Sequence, residues 1–186
     1  MKIGFVIFEG MTALDFVGVY DPITRLKTMG FVPDLKWELC SFTEDAGDNT
    51  GLVFHPTQPA GTSLAHFDLV IIPGGFGTRG LVNDVEFIKW IGTCADVPLK
   101  ATVCTGSLLL GAAGLLKGKK ATTHRSAQAE LSSYVSEVLD ERIVDQGDLI
   151  TARGVTSAID LGLYLCGRLT NEETREIIRK QMDYLG

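Results

Sequence analysis

Cys104 stands at a seam between two patterns. The residues before it, "KATV", are short and partly β-branched; those after it, "TGSLLLGAAGLL", are rich in Ala and Leu. This predicts a strand, then a helix, with the thiol in the sharp turn between them. Such a turn exposes its side chain at the carboxyl end of the strand. It also sets the side chain at a helix N-terminus, where unpaired N–H groups and the helix dipole favour negative charge. Thiol pKa values in such places are commonly lowered from about 8.5 toward neutrality. The expected chemistry is nucleophilic attack by a thiolate. Gly106 removes a side chain that would crowd the bend. The arrangement follows the nucleophile elbow of serine hydrolases with sulfur in place of oxygen, although Thr102 stands where that motif has its first glycine. The competing reading is a small buried hydrophobe, and it holds for Cys40, Cys94 and Cys166, which fall within strand or helix patterns.

Other candidates lie at neighbouring strand ends. Asp15, in "ALDFVG", follows the first apolar run, on the rim where Cys104 should emerge; by itself it reads as a helix N-cap. Gly74 and Gly75, in "IIPGGFG", form a loop after another buried run, where glycine permits a positive φ. Thr105 can turn its backbone N–H toward developing negative charge and its hydroxyl toward a polar substrate atom. His124, in "TTHRS", would make a Cys–His pair if it reached the thiol. His55 and His66 sit in loop-like contexts and read as bystanders.

The elements that must position these residues alternate along the chain. "KIGFVIF", "LKWELCSF", "DLVII" and "KATV" read as strands. "FVGVYDPITRLKTMG" has helical spacing and a stop at Gly30, with Pro22 starting the helix proper or distorting its first turn. "DVEFIKWIGTCA" is a helix capped by Asn83 or Asp84. "SAQAELSSYV" is another helix, and "ATT" a short strand. "GLVFHPT" is a short extended piece, and "RIVDQGDLITA" is a hairpin about Gln146-Gly147-Asp148. Two helices close the chain, the second with a capping box from Thr170 to Glu173. The alternation predicts an α/β domain spanning residues 1–186, with a mainly parallel sheet covered by helices on both faces. In such sheets ligands bind at the carboxyl ends of the strands.

Composition narrows the function classes. The chain has 186 residues, a net charge of −6 and 45% hydrophobic residues, enough for a substantial core. The acidic balance speaks against a nucleic-acid or anionic-membrane surface. The cluster Lys117-Gly-Lys119-Lys120 reads as a solvated loop. No run reaches the roughly 18 apolar residues of a membrane span, and "MKIGFVIFEG" lacks a signal-peptide pattern, so a cytoplasmic protein is expected. The four cysteines form no C-x-x-C pair, so neither a zinc site nor a disulfide framework is expected.

"VCTGSLLLGAAGLLKGKKATTH", "IIPGGFG" and "LDFVG" resemble the DJ-1/PfpI superfamily, within it most the isocyanide hydratase branch. The resemblance runs from Ile3 to about Asp183. It implies the class I glutamine amidotransferase-like fold, a flavodoxin-like three-layer sandwich. It implies Cys104 as nucleophile, Asp15 as its acid/base partner, a backbone N–H at Gly75 (with Gly74) in an oxyanion hole, and His124 near the site. The implied reaction is hydration of an isocyanide to an N-formamide through a covalent thioimidate, by a homodimer acting on a small molecule without metal or organic cofactor. The alternatives are a glyoxalase-like or amide-hydrolysing thiol enzyme, or a cysteine-based redox sensor. Thr105 stands where PfpI-type proteases carry His, and the C-terminal third has no His for an amidotransferase triad. DJ-1 itself has Glu at the place of Asp15. Arg125 and Arg153 occupy places where isocyanide hydratases carry a Trp and a Gly-rich run.

Overall fold

The computed structural model describes residues 1–186. The chain opens with β1 (Lys2–Val6) and α1 (Ala13–Thr28), followed by β2 (Lys36–Cys40) and the two-residue strands β3 (Ala46–Gly47) and β4 (Val53–Phe54). Next come β5 (Leu69–Ile72), the short α2 (Thr78–Leu81), α3 (Val85–Gly92), β6 (Leu99–Val103) and α4 (Gly106–Ala112). After β7 (Lys120–Ala121), a 3-10 turn at Arg125–Ala127 leads into α5 (Gln128–Leu131). The remainder is β8 (Glu137–Val138), β9 (Ile143–Asp145), β10 (Leu149–Ala152), α6 (Ser157–Leu169) and α7 (Glu172–Gln181).

The main sheet has the order β2-β1-β5-β6-β10-β9. The first five strands run parallel, and β9 joins β10 antiparallel through the hairpin expected at Gly147. Strand β5 is buried throughout, which is why its sequence reads as a continuous apolar run, and β6 is buried beyond Leu99. From β1 the chain moves one way to β2 and the other way to β5, so the connecting helices fall on opposite faces. Accordingly α1, α6 and α7 pack together, and α2, α3 and α5 gather around α4. One contiguous core runs from Ile3 to Ile178. The reversal of strand order between β1 and β5 opens a crevice at the carboxyl ends, where α/β sheets bind ligands.

Three local expectations are corrected. Helix α1 runs unbroken through Pro22. Its contact with α6 offsets the proline: Pro22 lies against Gly162, where a Cβ would stand 2.8 Å from the ring, and Gly18 gives the same clearance to Ala158 at 2.7 Å. Helix α7 is capped by Asn171, whose Oδ1 accepts from the Thr174 N–H at 2.9 Å. Thr170 instead donates its hydroxyl to the Cys166 carbonyl at the end of α6. The segment "SAQAELSSYV" forms only the 3-10 turn and the four residues of α5, because its serines favour turns over helix. The cap of α3 is Asp84, accepting from the N–H groups of Glu86 and Phe87.

Candidate active site

Cys104 occupies the turn between β6 and α4 with φ +56°, a left-handed conformation rare outside glycine. Such strain costs about 1–3 kcal/mol and persists where the surroundings over-determine it. Here they do. The Cys104 N–H donates to the Ala152 carbonyl at 3.0 Å, and the Cys104 carbonyl accepts from the Thr123 hydroxyl at 2.8 Å and the Ser107 hydroxyl at 3.3 Å. Gly106 is obligatory in this bend, since a Cβ there would lie 2.4 Å from the Ile72 carbonyl oxygen.

The loop after β5 closes over the elbow. A Cβ on Gly74 would sit 2.4 Å from the Thr105 nitrogen, and Gly75, at φ +142°, has no room for one beside Gly10 and Met11. The Gly74 N–H donates to Asp15 Oδ2 at 3.1 Å. The Gly75 N–H donates to Thr105 Oγ1 at 2.9 Å, and that hydroxyl lies 3.0 Å from the Gly75 carbonyl. The N–H expected to face an oxyanion is therefore engaged by Thr105. The Thr105 backbone N–H faces the Cys104 sulfur instead.

Asp15 is not the N-cap of α1; Thr12 holds that position, and Asp15 points inward from the first turn, completely buried. Its Oδ1 has no hydrogen-bond partner of good geometry. Burial pushes its pKa from 3.8 up to about 7, although the nearby Cys104 thiol and the Gly74 N–H both favour the carboxylate. The thiol is raised to about 12, first by burial and then by the charge of Asp15; the Thr105 N–H and hydroxyl pull it back only partly. The expected thiolate is thus corrected to a resident thiol. Desolvation and a neighbouring carboxylate outweigh a helix of seven residues.

Cys104 is 6% exposed, and this remainder opens into a cleft of about 120 Å³. Gly75, Thr105 and His124 line the cleft, as do Thr12, Phe76, Arg79, Ser126 and Val155, which sequence reasoning passed over. A signal for Phe76 and Arg79 was present, because they follow the glycine loop at the end of β5. Phe76 is 83% exposed and lies beneath the Arg79 guanidinium, 5.8 Å from its ring centroid. His124 bonds to Ser126 rather than to the thiol: its Nδ1 accepts from the Ser126 N–H at 3.2 Å, which leaves the proton of the neutral ring on Nε2. His55 pairs with Asp45, and His66 lies against Phe67, both away from the cleft. Cys40, Cys94 and Cys166 are buried thiols raised to between about 11 and about 12, by burial above all. Lys119 and Lys120 of the basic loop pair with Asp148 and Glu137. No helix is long and apolar enough to cross a membrane.

Residues 1–167 match the DJ-1/PfpI family model. The isonitrile hydratase of Pseudomonas putida is 33% identical over 186 residues, which cover 99% of this chain and 78% of that protein. The protein dj-1beta of Drosophila melanogaster is 29% identical over 64% of this chain and 67% of its own length. Among solved structures, a THiJ/PfpI family protein from Pseudomonas syringae has a TM-score of 0.88 at 30% identity, over 100% of this chain and 75% of that one. Drosophila DJ-1beta has a TM-score of 0.84 at 21% identity, covering 100% of this chain and 98% of its own, a likeness of fold alone.

Proposed function

This chain belongs to the DJ-1/PfpI family, and on that footing we propose that it hydrates a small isocyanide to the N-formamide with Cys104 as nucleophile. One observation carries the proposal: a strained, cleft-facing cysteine with a buried carboxyl of pKa about 7 against it. The likeness to the Pseudomonas putida isonitrile hydratase supports the same reaction.

The terminal carbon of R–N≡C must gain both a sulfur and a proton. With the thiol raised to about 12, the sulfur attacks as its proton passes to the Asp15 carboxylate. Protonated Asp15 then delivers that proton to carbon, giving the thioimidate R–N=CH–S–Cys104. Water adds to this carbon, and Asp15 relays the proton it takes from that water to the substrate nitrogen. The adduct R–NH–CH(OH)–S–Cys104 collapses to R–NH–CHO and the free thiol. A carboxyl poised near neutral pH suits a group that must accept and donate in turn. Covalent catalysis divides one hard addition into two easier steps.

The Thr105 N–H supports the sulfur as charge develops on it, and Gly74 and Gly75 hold Asp15 and Thr105 in place. His124 lines the cleft as a donor to the substrate. A cleft of about 120 Å³ suits a slender –N≡C group. Burial of the sulfur and its raised pKa weigh against a redox sensor, because oxidation follows thiolate character and exposure. We also propose a homodimer; the exposed apolar Leu14 and Val17 of α1 support it.

The test is incubation of purified protein with cyclohexyl isocyanide, with formamide quantified by mass spectrometry. Turnover is expected in the wild type and absent in Cys104→Ala. Equal turnover in both would remove Cys104, and this reaction path, from the assignment.

A further inference from the structure

A second hollow, of about 290 Å³, adjoins the cleft and is lined by Arg125, Arg142, Arg153, His124 and Gly154. No apolar side chain faces it. The two hollows share a wall: His124 lines both, and the consecutive residues Gly154 and Val155 line one each. A molecule whose reactive end reaches Cys104 can therefore extend its other end among three guanidiniums.

Those guanidiniums are incompletely neutralised. Arg153 pairs with Asp140 at 2.6 Å, and Arg125 is 3.9 Å from the same carboxylate. Asp140 also accepts from the Gln128 amide at 3.2 Å. Arg142 pairs with Asp160, which accepts from the Tyr184 hydroxyl at 2.9 Å. Three positive charges thus share two negative ones, in a chain whose net charge is −6. Each guanidinium carries five N–H donors in a planar fork that matches an oxyanion bidentately. An excess of one positive charge suits a carboxylate better than a doubly charged phosphate.

Resting on the reading of Cys104 as an isocyanide-hydrating nucleophile, we propose that the preferred substrate is an isocyanide bearing a carboxylate, held by Arg125, Arg142 and Arg153 beyond His124. The arginines select the substrate; Cys104 and Asp15 transform it.

Two measurements separate this proposal from the hydration reading. In the first, Cys104 is alkylated with 3-maleimidopropionate or with its uncharged amide, and site-specific rates are read by mass spectrometry, with no isocyanide present. The acid-to-amide rate ratio is expected to fall at least fivefold in Arg125→Gln and in Arg153→Gln. Arg125 is 75% exposed, so its variant should retain the fold, which its melting temperature checks. In the second, kcat/KM is compared for isocyanoacetate and for methyl isocyanoacetate. The loss on Arg153→Gln is expected to be at least tenfold larger for the acid, and carried by KM. An unchanged alkylation ratio, or equal losses for acid and ester, overturns the inference while leaving hydration intact. A fall in the ratio without turnover of any isocyanide keeps the anion pocket and removes the hydration reading.

Discussion

The Asp15 carboxyl and the Cys104 thiol meet at the crevice between β1 and the loop after β5, where burial raises the pKa of both, the Asp15 charge raises the thiol further, and the thiol in turn favours the carboxylate. The carboxyl arrives on the first turn of α1 and the sulfur on the turn after β6. Neither group has water enough to ionise cheaply, and two adjacent negative charges would compound the cost. The proton is therefore shared within the pair, and it is available for transfer.

Stability should depend on this proton. The folded-state pKa of Asp15, about 7, lies above its ordinary 3.8. The folded chain thus binds the proton more tightly than the unfolded one. Its contribution is complete below about pH 4 and is lost as pH rises through about 7. The expected loss is at most about 4 kcal/mol. Urea titrations from pH 4 to 8 should show a declining midpoint in the wild type and a flatter one in Asp15→Asn. Parallel profiles would mean that the carboxyl does not hold its proton.

Asp15→Asn should also uncouple nucleophile acidity from turnover. Removing the carboxylate takes away a group that raises the thiol, so the pH profile of Cys104 alkylation by iodoacetamide should shift downward. Hydration should nevertheless fall by about 100-fold or more, because the proton carrier is gone. An Asp15 that acts on the thiol by its charge alone predicts the same downward shift with hydration retained.

The Thr105 hydroxyl should matter through Gly75. In Thr105→Val the Gly75 N–H loses its acceptor inside the fold, which costs about 1–3 kcal/mol. The thiol should titrate higher still, since Thr105 side-chain bonding favours the sulfur anion. Thr105→Ser retains the oxygen and should restore both properties. Calorimetry and alkylation profiles of the two variants provide the comparison.

Gly74→Ala and Gly106→Ala should each destabilise by about 1–3 kcal/mol or more, since the added methyl meets backbone rather than a movable side chain. Gly80→Ala is the control, because nothing lies within 4 Å of its Cβ position. Melting temperatures reduced only at the first two sites would support the packing described at the elbow.

Val17→Asp should shift the molecular mass in solution to that of one chain, if the apolar face of α1 joins two copies. Light scattering after size exclusion reads this directly. A wild type that is already monomeric would dispose of the homodimer.

The sequence alone determined the elbow and its setting. Continuous apolar runs marked β1 and β5, because strands buried on both faces leave no polar alternation; short, partly β-branched residues marked β6, and the change to Ala/Leu spacing located Cys104 between strand and helix. Asp84 as a cap and Gly147 as a hairpin turn were legible because those signals act within a few residues. Pro22 misled, since its local penalty is offset by a groove in α6 that lies far along the chain. The charge state of Cys104 was decided by tertiary structure. The helix dipole could be read locally, but the burial and the Asp15 carboxylate that overcome it come from packing between distant segments. The same holds for the wall of His124 between a thiol cleft and three arginines. Local signals depend on neighbours in sequence; desolvation and charge pairing depend on neighbours in space, and only the folded chain assembles those.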